Sequence, residues 1–291
     1  MSNIESFFAS VQLPSINQVA QALIQTLHDA DPSVRTVCEL ISRDPALAAK
    51  LLRLANSAQF GLPRGVGTVE DAIAMVGINK VRTLALGACL SSAFTVVPGL
   101  DKNEFWRSSM TCAGYSQWLG EQIGVNGQVA WLTGMMLRLG ELLIAQAEPK
   151  TLQEIEKLPL IPGVRWQREK RLIGFTEGQI TAELARRLNF PMQMVQALQR
   201  SADPMVEQAF SRLGAILHLA GLLAETPNAS AASVDTLPQE VMGILSLDIQ
   251  WMRNCFPKPE NFTDVSRFEQ ETDRRVFFYF AGCQSAARDG A

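Results

Sequence analysis

Two Asp-Pro pairs, at 31–32 and 44–45, each introduce a run of apolar residues spaced three and four positions apart. Asp is a favourable helix N-cap, and a proline at the first helical position gives up no hydrogen bond. The same helical spacing recurs along most of the chain: Val19, Leu23 and Leu27; Val34, Val37 and Ile41; Leu47, Leu51, Leu54 and Ala55. Period-two alternation, the mark of a half-buried strand, is hard to find. Thr68-Val69-Glu70-Asp71 fits a capping-box pattern, and QFGLPRGVG (59–67) is a Gly- and Pro-rich loop before it. Further helices are expected at 79–94, 103–123, 127–146, 150–158, 163–173, 177–189, 191–202, 205–225 and 237–249. A small-residue linker is expected at 225–238, and a docked helix at 263–285.

This pattern predicts an all-α fold, a multi-helix bundle of two packed helical halves. VVPGLDKNE (96–104) interrupts the periodicity, so the first half is read as residues 1–100 and the second as 101–204, with 205–291 a C-terminal helical extension. At 291 residues and 47% hydrophobic content the chain can bury a sizeable core, and helices this apolar need partners. LALGACLSSAFTVVPGL (84–100) is the most apolar stretch, but it is interrupted by Ser91, Ser92 and Pro98 and is shorter than the roughly 20 residues of a spanning helix. No basic-then-apolar signal segment opens the chain, so a cytoplasmic protein with no membrane association is expected. The five cysteines are scattered, without a CxxC pair, which fits reduced thiols and suggests neither a disulfide framework nor a zinc site.

The net charge is −3, so nothing global points to DNA or RNA. Segment 161–200 is locally basic, with seven Lys or Arg against three Glu. A solvated helix face is the plain reading; a patch for an anionic partner is the functional one. No phosphate loop, GxGxxG fingerprint, GxSxG elbow or HExxH pair is present. There are only two histidines, His28 and His218, most of the chain apart. His218 sits in the core-type run AILHLAGLLA and is expected to be a hydrogen-bonded structural residue; His28 is expected to have a local role at a helix C-terminus. Asp44 and Asn56 are explained by helix ends, and Trp106 by a core anchor. Arg64, Lys80 and Arg107 are surface candidates.

TGMMLRLGELL (133–143) is helical and apolar but carries Arg138 in its middle. That stretch, together with LPSINQVAQALI, DPALAAKLLRLANSA, TVEDAIAMVG, FWRSSMTCA, GFTEGQITAELARRLNFP and VQALQRSADP, resembles the HDOD domain, the bacterial HD-related output domain, over roughly residues 10–204. The resemblance implies an HD-domain-like helical fold and kinship with metal-dependent phosphohydrolases, whose His and Asp ligands hold divalent metal that activates water. Carried onto this chain, the ligand positions fall at Ser108, at Leu137-Arg138, at Glu177, near Arg200-Ser201 and near Gly221. None holds its expected ligand, so no metal, no cofactor and no catalytic residue is expected. An Arg138–Glu177 ion pair is expected to fill the space of the lost centre, the alternative being an Arg138 that snorkels to solvent. The resemblance implies a non-catalytic signal-transduction module acting on signalling proteins. A nucleotide or anion sensor using the vacated pocket, with Arg107, Arg138 and Arg200 as contacts, is the second reading, and a degenerate phosphohydrolase the third.

Overall fold

The computed structural model of the chain describes residues 4–29, 31–57, 65–94, 100–157, 161–206 and 210–262. Residues 59–64 of the expected loop (with Arg64), 96–99 of the expected break, Cys283 and the expected helix at 263–285 lie outside them.

Among the described residues the fold is all-α, without a strand. The first six helices are α1 (Ile4–Ala9), α2 (Gln18–Gln25), α3 (Val34–Ser42), α4 (Pro45–Ala55), α5 (Val69–Val76) and α6 (Ile78–Ala93). Asp44 caps α4 through the amides of Ala46 and Leu47, with Pro45 at the first position, and Thr68 caps α5 through Asp71 N. Asp31-Pro32 does not act the same way: α3 starts two residues later, behind Ser33, and the Asp29 carboxylate instead accepts from the Asp31 amide. Asn56 ends α4 and holds the incoming chain, donating to Leu52 O and Val66 O and accepting from Val66 N.

The second group comprises α7 (Lys102–Gln122), α8 (Gly127–Met136), α9 (Leu139–Ala147), α10 (Pro149–Glu156), α11 (Val164–Ile173), α12 (Glu177–Arg187), α13 (Met192–Arg200) and α14 (Arg212–Glu225). They are followed by the short α15 (Gln239–Ile244) and α16 (Ile249–Asn254). One apolar core runs through both groups, with α6 packed on α8 as the main seam. His28 reinforces the junction: its Nε2 donates to the Asn189 carbonyl at 2.9 Å, across 161 residues of sequence. Helix α14 packs on α7, α8 and α13, so residue 204 marks a loop and not a packing boundary. Residues 251–262 dock through aromatics, Trp251 stacking on Trp118 at 5.2 Å and Phe256 and Phe262 closing on Tyr115. No described helix is long and apolar enough to cross a membrane.

Two expected helices are broken: that of 237–249 stops at Ile244, with Ser246 at φ 55° before α16 begins at Ile249, and the other lies at the site. The periodicity of 127–146 reads as continuous, but α8 stops at Met136 and α9 starts at Leu139, with Leu137 and Arg138 between them. The reason is tertiary. The Gly140 amide donates at 2.7 Å to Thr181 Oγ1 on α12, outside the α-helical ladder, and the Thr181 hydroxyl lies 3.0 Å from the Leu137 carbonyl. A buried backbone group can leave the ladder only where such a partner exists. Gly140 is required there, because a Cβ would collide with the Glu177 main chain.

Candidate functional site

The break between α8 and α9 aims Arg138 into a buried charged cluster. Its Nη2 lies 2.6 Å from Glu141 Oε2 and its Nε 3.8 Å from Glu177 Oε2. The guanidinium carbon also sits 5.8 Å from the Phe105 ring centroid on α7. At the centre of the cluster is a second arginine, Arg165 on α11. It contacts Glu141 Oε1 at 3.2 Å, Glu169 Oε1 at 3.0 Å and Glu177 Oε2 at 3.5 Å, and pairs with the half-exposed Glu156 through Nη1. Glu141, Glu169 and Glu177 are each 1% exposed or less. Glu177 Oε1 accepts from the Trp166 indole at 3.1 Å, and its amide donates to Glu169 at 2.7 Å.

The ion pair expected between Arg138 and Glu177 thus takes a different form. Glu141, one turn along from Arg138, is its near partner; Glu177 is a more distant one that Arg138 shares with Arg165. Nor does Arg138 snorkel free: its side chain is 15% exposed and carries two ionic contacts. The plain reading of segment 161–200 as a solvated face also fails for its first arginines. Arg165 is 3% exposed, and Arg168 is buried with Nη1 donating to the Ile155 carbonyl. The reading suits Arg186 and Arg187, which are paired with Glu183 on the surface.

Two guanidinium cations face three fully buried carboxylates, with Glu225 and Glu156 at the edge, so the cluster is short of positive charge. Burial pushes Glu169 well above the usual carboxylate range, pushes Glu177 up to about 7 and raises Glu225. Arg165 and Arg138 oppose the shift at Glu177 but do not cancel it. Several of these atoms, including Arg165 Nε and Nη2 and Glu177 Oε2, lie in ionic contact without hydrogen-bond geometry. A buried network of this kind depends on retaining every member.

The positions where the HD ligand set would fall mostly converge here. Leu137 packs within van der Waals reach of Gly178 and Gly221, and Ser201, 1% exposed, lies against Gly178. Ser108 is half-buried one turn beyond Phe105. A Cβ at Gly221 would lie 2.9 Å from the Trp166 ring, so that indole takes the room a carboxylate side chain at 221 would need. A divalent metal does not fit these residues. Its place is taken by an indole, a leucine and two fixed cations, and among the described residues no group of three His, Cys, Asp or Glu is placed to hold one. The arginines named as anion contacts do not meet. Arg107 is exposed on α7, Arg138 is held in the cluster, and Arg200 lines a separate cavity beyond Trp166.

The order of these helices and the degenerate HD positions invite comparison with known proteins. The HDOD domain family matches residues 13–204. The chain belongs to the HDOD family. Among solved structures, an HDOD domain protein of unknown function from Geobacter sulfurreducens superposes with a TM-score of 0.67 at 19% identity, over 93% of this chain and 92% of that one. A Shewanella amazonensis SB2B protein named as a phosphohydrolase gives 0.66 at 26% identity, over 92% and 93%. A Marinobacter aquaeolei VT8 protein named as a signal transduction protein gives 0.69 at 21% identity, over 98% and 67%. In sequence, an uncharacterised Treponema pallidum protein is 24% identical over 194 residues, 64% of this chain; the chain spans only 37% of that relative's length. HDOD membership accounts for the arrangement of the second helical group. It does not by itself assign chemistry, because folds host unrelated functions.

Arg165, Glu169 and Glu141 were not singled out by sequence reasoning. A signal was present: Arg165 and Glu169 are four apart on α11, flanking Trp166 and in phase with Ile173, which are both buried. Charge at such positions marks a buried face as readily as a wet one.

Proposed function

We propose that this HDOD protein is a non-catalytic signalling module that works by contacting other proteins. The observation carrying the reading is the filled centre: Arg138, at a position the HD resemblance assigns to the ligand pair, and Arg165 both contact Glu177, and the Trp166 ring occupies the room a side chain at Gly221 would need. A phosphohydrolase needs a metal-bound water beside its phosphoester, and these residues offer neither an acceptor set for the metal nor a vacant coordination position. The remaining role suited to a rigid helical scaffold is recognition through its surface helices. The Marinobacter aquaeolei relative named for signal transduction supports this direction.

Affinity capture with the untagged chain coupled to resin, from lysate of the source cell, is the test. One or a few proteins recovered near one-to-one, and equally well with an Arg165→Met variant that remains folded, support the reading. Hydrolysis of a generic phosphodiester such as bis(p-nitrophenyl) phosphate by the purified chain with added Mn²⁺ contradicts it.

A further inference from the structure

Beyond the filled centre, on the outer side of Trp166, lies a cavity of about 1240 Å³. It is bounded by α11, the ends of α12 and α13, and α14. Its size exceeds the roughly 300–1,000 Å³ usual for small-molecule sites, so a ligand larger than an isolated anion fits. Two of its lining residues reach the charged cluster, Trp166 through Glu177 and the Gly163 amide through Glu225 at the cluster's edge.

The lining divides by chemistry. One wall is aromatic: the Trp166 and His218 rings are 5.2 Å apart and tilted by 37°. His218 Nδ1 lies 2.8 Å from the Ser201 carbonyl, which can only accept, so Nδ1 carries the proton and Nε2 is left as an acceptor. Gln167, Gln179 and Gln199 add amides, and the Gln179 carbonyl is already used by the Thr176 amide, which leaves its NH₂ to donate. The other wall is cationic. Lys170 and Arg171 are exposed and make no ion pair among the described residues, and Arg200 joins them, against one lining acid, Asp203. On α11 these features lie in register, Trp166 four residues before Lys170 and Gln167 four before Arg171. Side chains four apart on a helix are neighbours at about 5–6 Å. Trp166 is buried and backs the half-buried His218 ring, while Gln167 on the same helix presents an amide and Lys170 and Arg171 two cations one turn on.

We propose that this cavity is a nucleotide-binding site, with the base against the His218 ring, which Trp166 backs, and the phosphate on Lys170 and Arg171. An aromatic ring takes any base by its π face, and the lining amides read its hydrogen-bonding edge. A lone inorganic anion would use only the cationic wall, and an uncharged aromatic only the other. The site lies one layer outside the lost metal centre, and its occupancy is independent of whether the protein is catalytic. Trp166 joins the two, since its ring forms the cavity wall while its Nε1 donates to Glu177.

The test is calorimetric titration of the full chain with AMP, GMP, CMP and UMP, the matching nucleosides and inorganic phosphate. At least one nucleotide is expected to saturate one-to-one with a Kd below about 100 μM, with its nucleoside and phosphate each about tenfold weaker or more. Lys170→Glu with Arg171→Glu, both at exposed positions, is expected to weaken that nucleotide by about tenfold or more while far-ultraviolet circular dichroism shows the fold retained. Absence of saturation by all four nucleotides up to about 1 mM overturns the proposal. So does unchanged affinity in the charge-reversed variant, or inorganic phosphate binding as tightly as the nucleotide.

Discussion

Replacing Arg165 by methionine keeps an unbranched stem of similar reach in the core and removes only the charge and its donors. In the wild type the guanidinium is within 3.5 Å of three carboxylates that are 1% exposed or less, and it also pairs with Glu156. At an effective dielectric of about 20, each unit-charge contact near 3.3 Å is worth about 5 kcal/mol before desolvation. Removing one member of a buried pair typically costs about 3–5 kcal/mol once solvation and relaxation are included, and the lower half of that range already threatens a fold held by about 5–15 kcal/mol. We therefore expect Arg165→Met to lose about 4 kcal/mol at pH 8. With a urea slope near 3 kcal/mol/M, the midpoint falls by about 1.3 M, followed by far-ultraviolet circular dichroism. The loss must shrink at pH 5.5, because the orphaned carboxylates escape their penalty by binding protons. Arg165→Met with Glu169→Gln removes one cation and one anion together and is expected to recover at least about 1 kcal/mol of the single-variant loss, a coupling that also reports when the single variant folds poorly. A midpoint shift below about 0.3 M at pH 8, or one equal at both pH values, refutes the reasoning.

The remaining predictions concern the same region and its supports. Glu177 is raised in the folded chain to about 7 from an ordinary value of 4.5. Between those values the native state holds more protons than the unfolded one, so stability falls as pH rises from about 4.5 through 7. The penalty is absent below that window and reaches about 3 kcal/mol above it. His218, lowered by burial, acts in the opposite sense below its ordinary value, so the clean measurement is the difference in urea midpoints between wild type and Glu177→Gln from pH 5.5 to 8. The variant's profile should slope less steeply downward, and identical slopes would count against the shift. Gly140→Ala places a methyl against the Glu177 main chain and should cost about 2–3 kcal/mol despite alanine's better helix propensity; a gain in thermal stability would mean that the α8–α9 break relaxes freely. Asp44→Ala removes the side-chain cap of α4 and should cost about 1 kcal/mol by the same assay, with no measurable loss contradicting the capping role. Restoring the ligand pair with Leu137→His and Arg138→Asp should destabilise by about 3 kcal/mol or more, because it deletes a cation from a cluster already rich in carboxylate, and Trp166 still fills the room at Gly221. A fold as stable as wild type would show that the cluster tolerates another acid.

Helix content and most helix bounds were legible because the apolar period and the caps at Asp44, Thr68 and Thr176 act locally. The break at Leu137-Arg138 was not, because it depends on Thr181, more than forty residues away, taking the Gly140 amide. Of the positions assigned to the HD ligand set by resemblance, Leu137 and Ser201 meet at Gly178, next to Glu177, and Leu137 also reaches Gly221. What occupies the space was half-legible. Arg138 stood out against an apolar run, whereas Arg165 sat among other charges on α11, where a buried cation and a solvated one look alike in sequence. The N-cap role expected for Asp31 failed because Ser33 and Val34, two residues on, begin the helix. The cavity beyond Trp166 draws its walls from four helices, and its aromatic pair brings together residues 52 positions apart, a spacing that no local pattern records.

The central claim is that arginine, glutamate and tryptophan side chains have replaced a metal centre in an HDOD fold. Its most direct test is metal content by mass spectrometry of chain purified without a histidine tag, after exposure to excess Fe²⁺, Mn²⁺ or Mg²⁺ and removal of free ion. The account predicts less than about 0.1 bound ion per chain, since the buried carboxylates are already engaged by the two guanidinium groups and, among the described residues, no three His, Cys, Asp or Glu are placed to hold an ion. One or two ions per chain, lost together with phosphodiester hydrolysis on chelation, would contradict it.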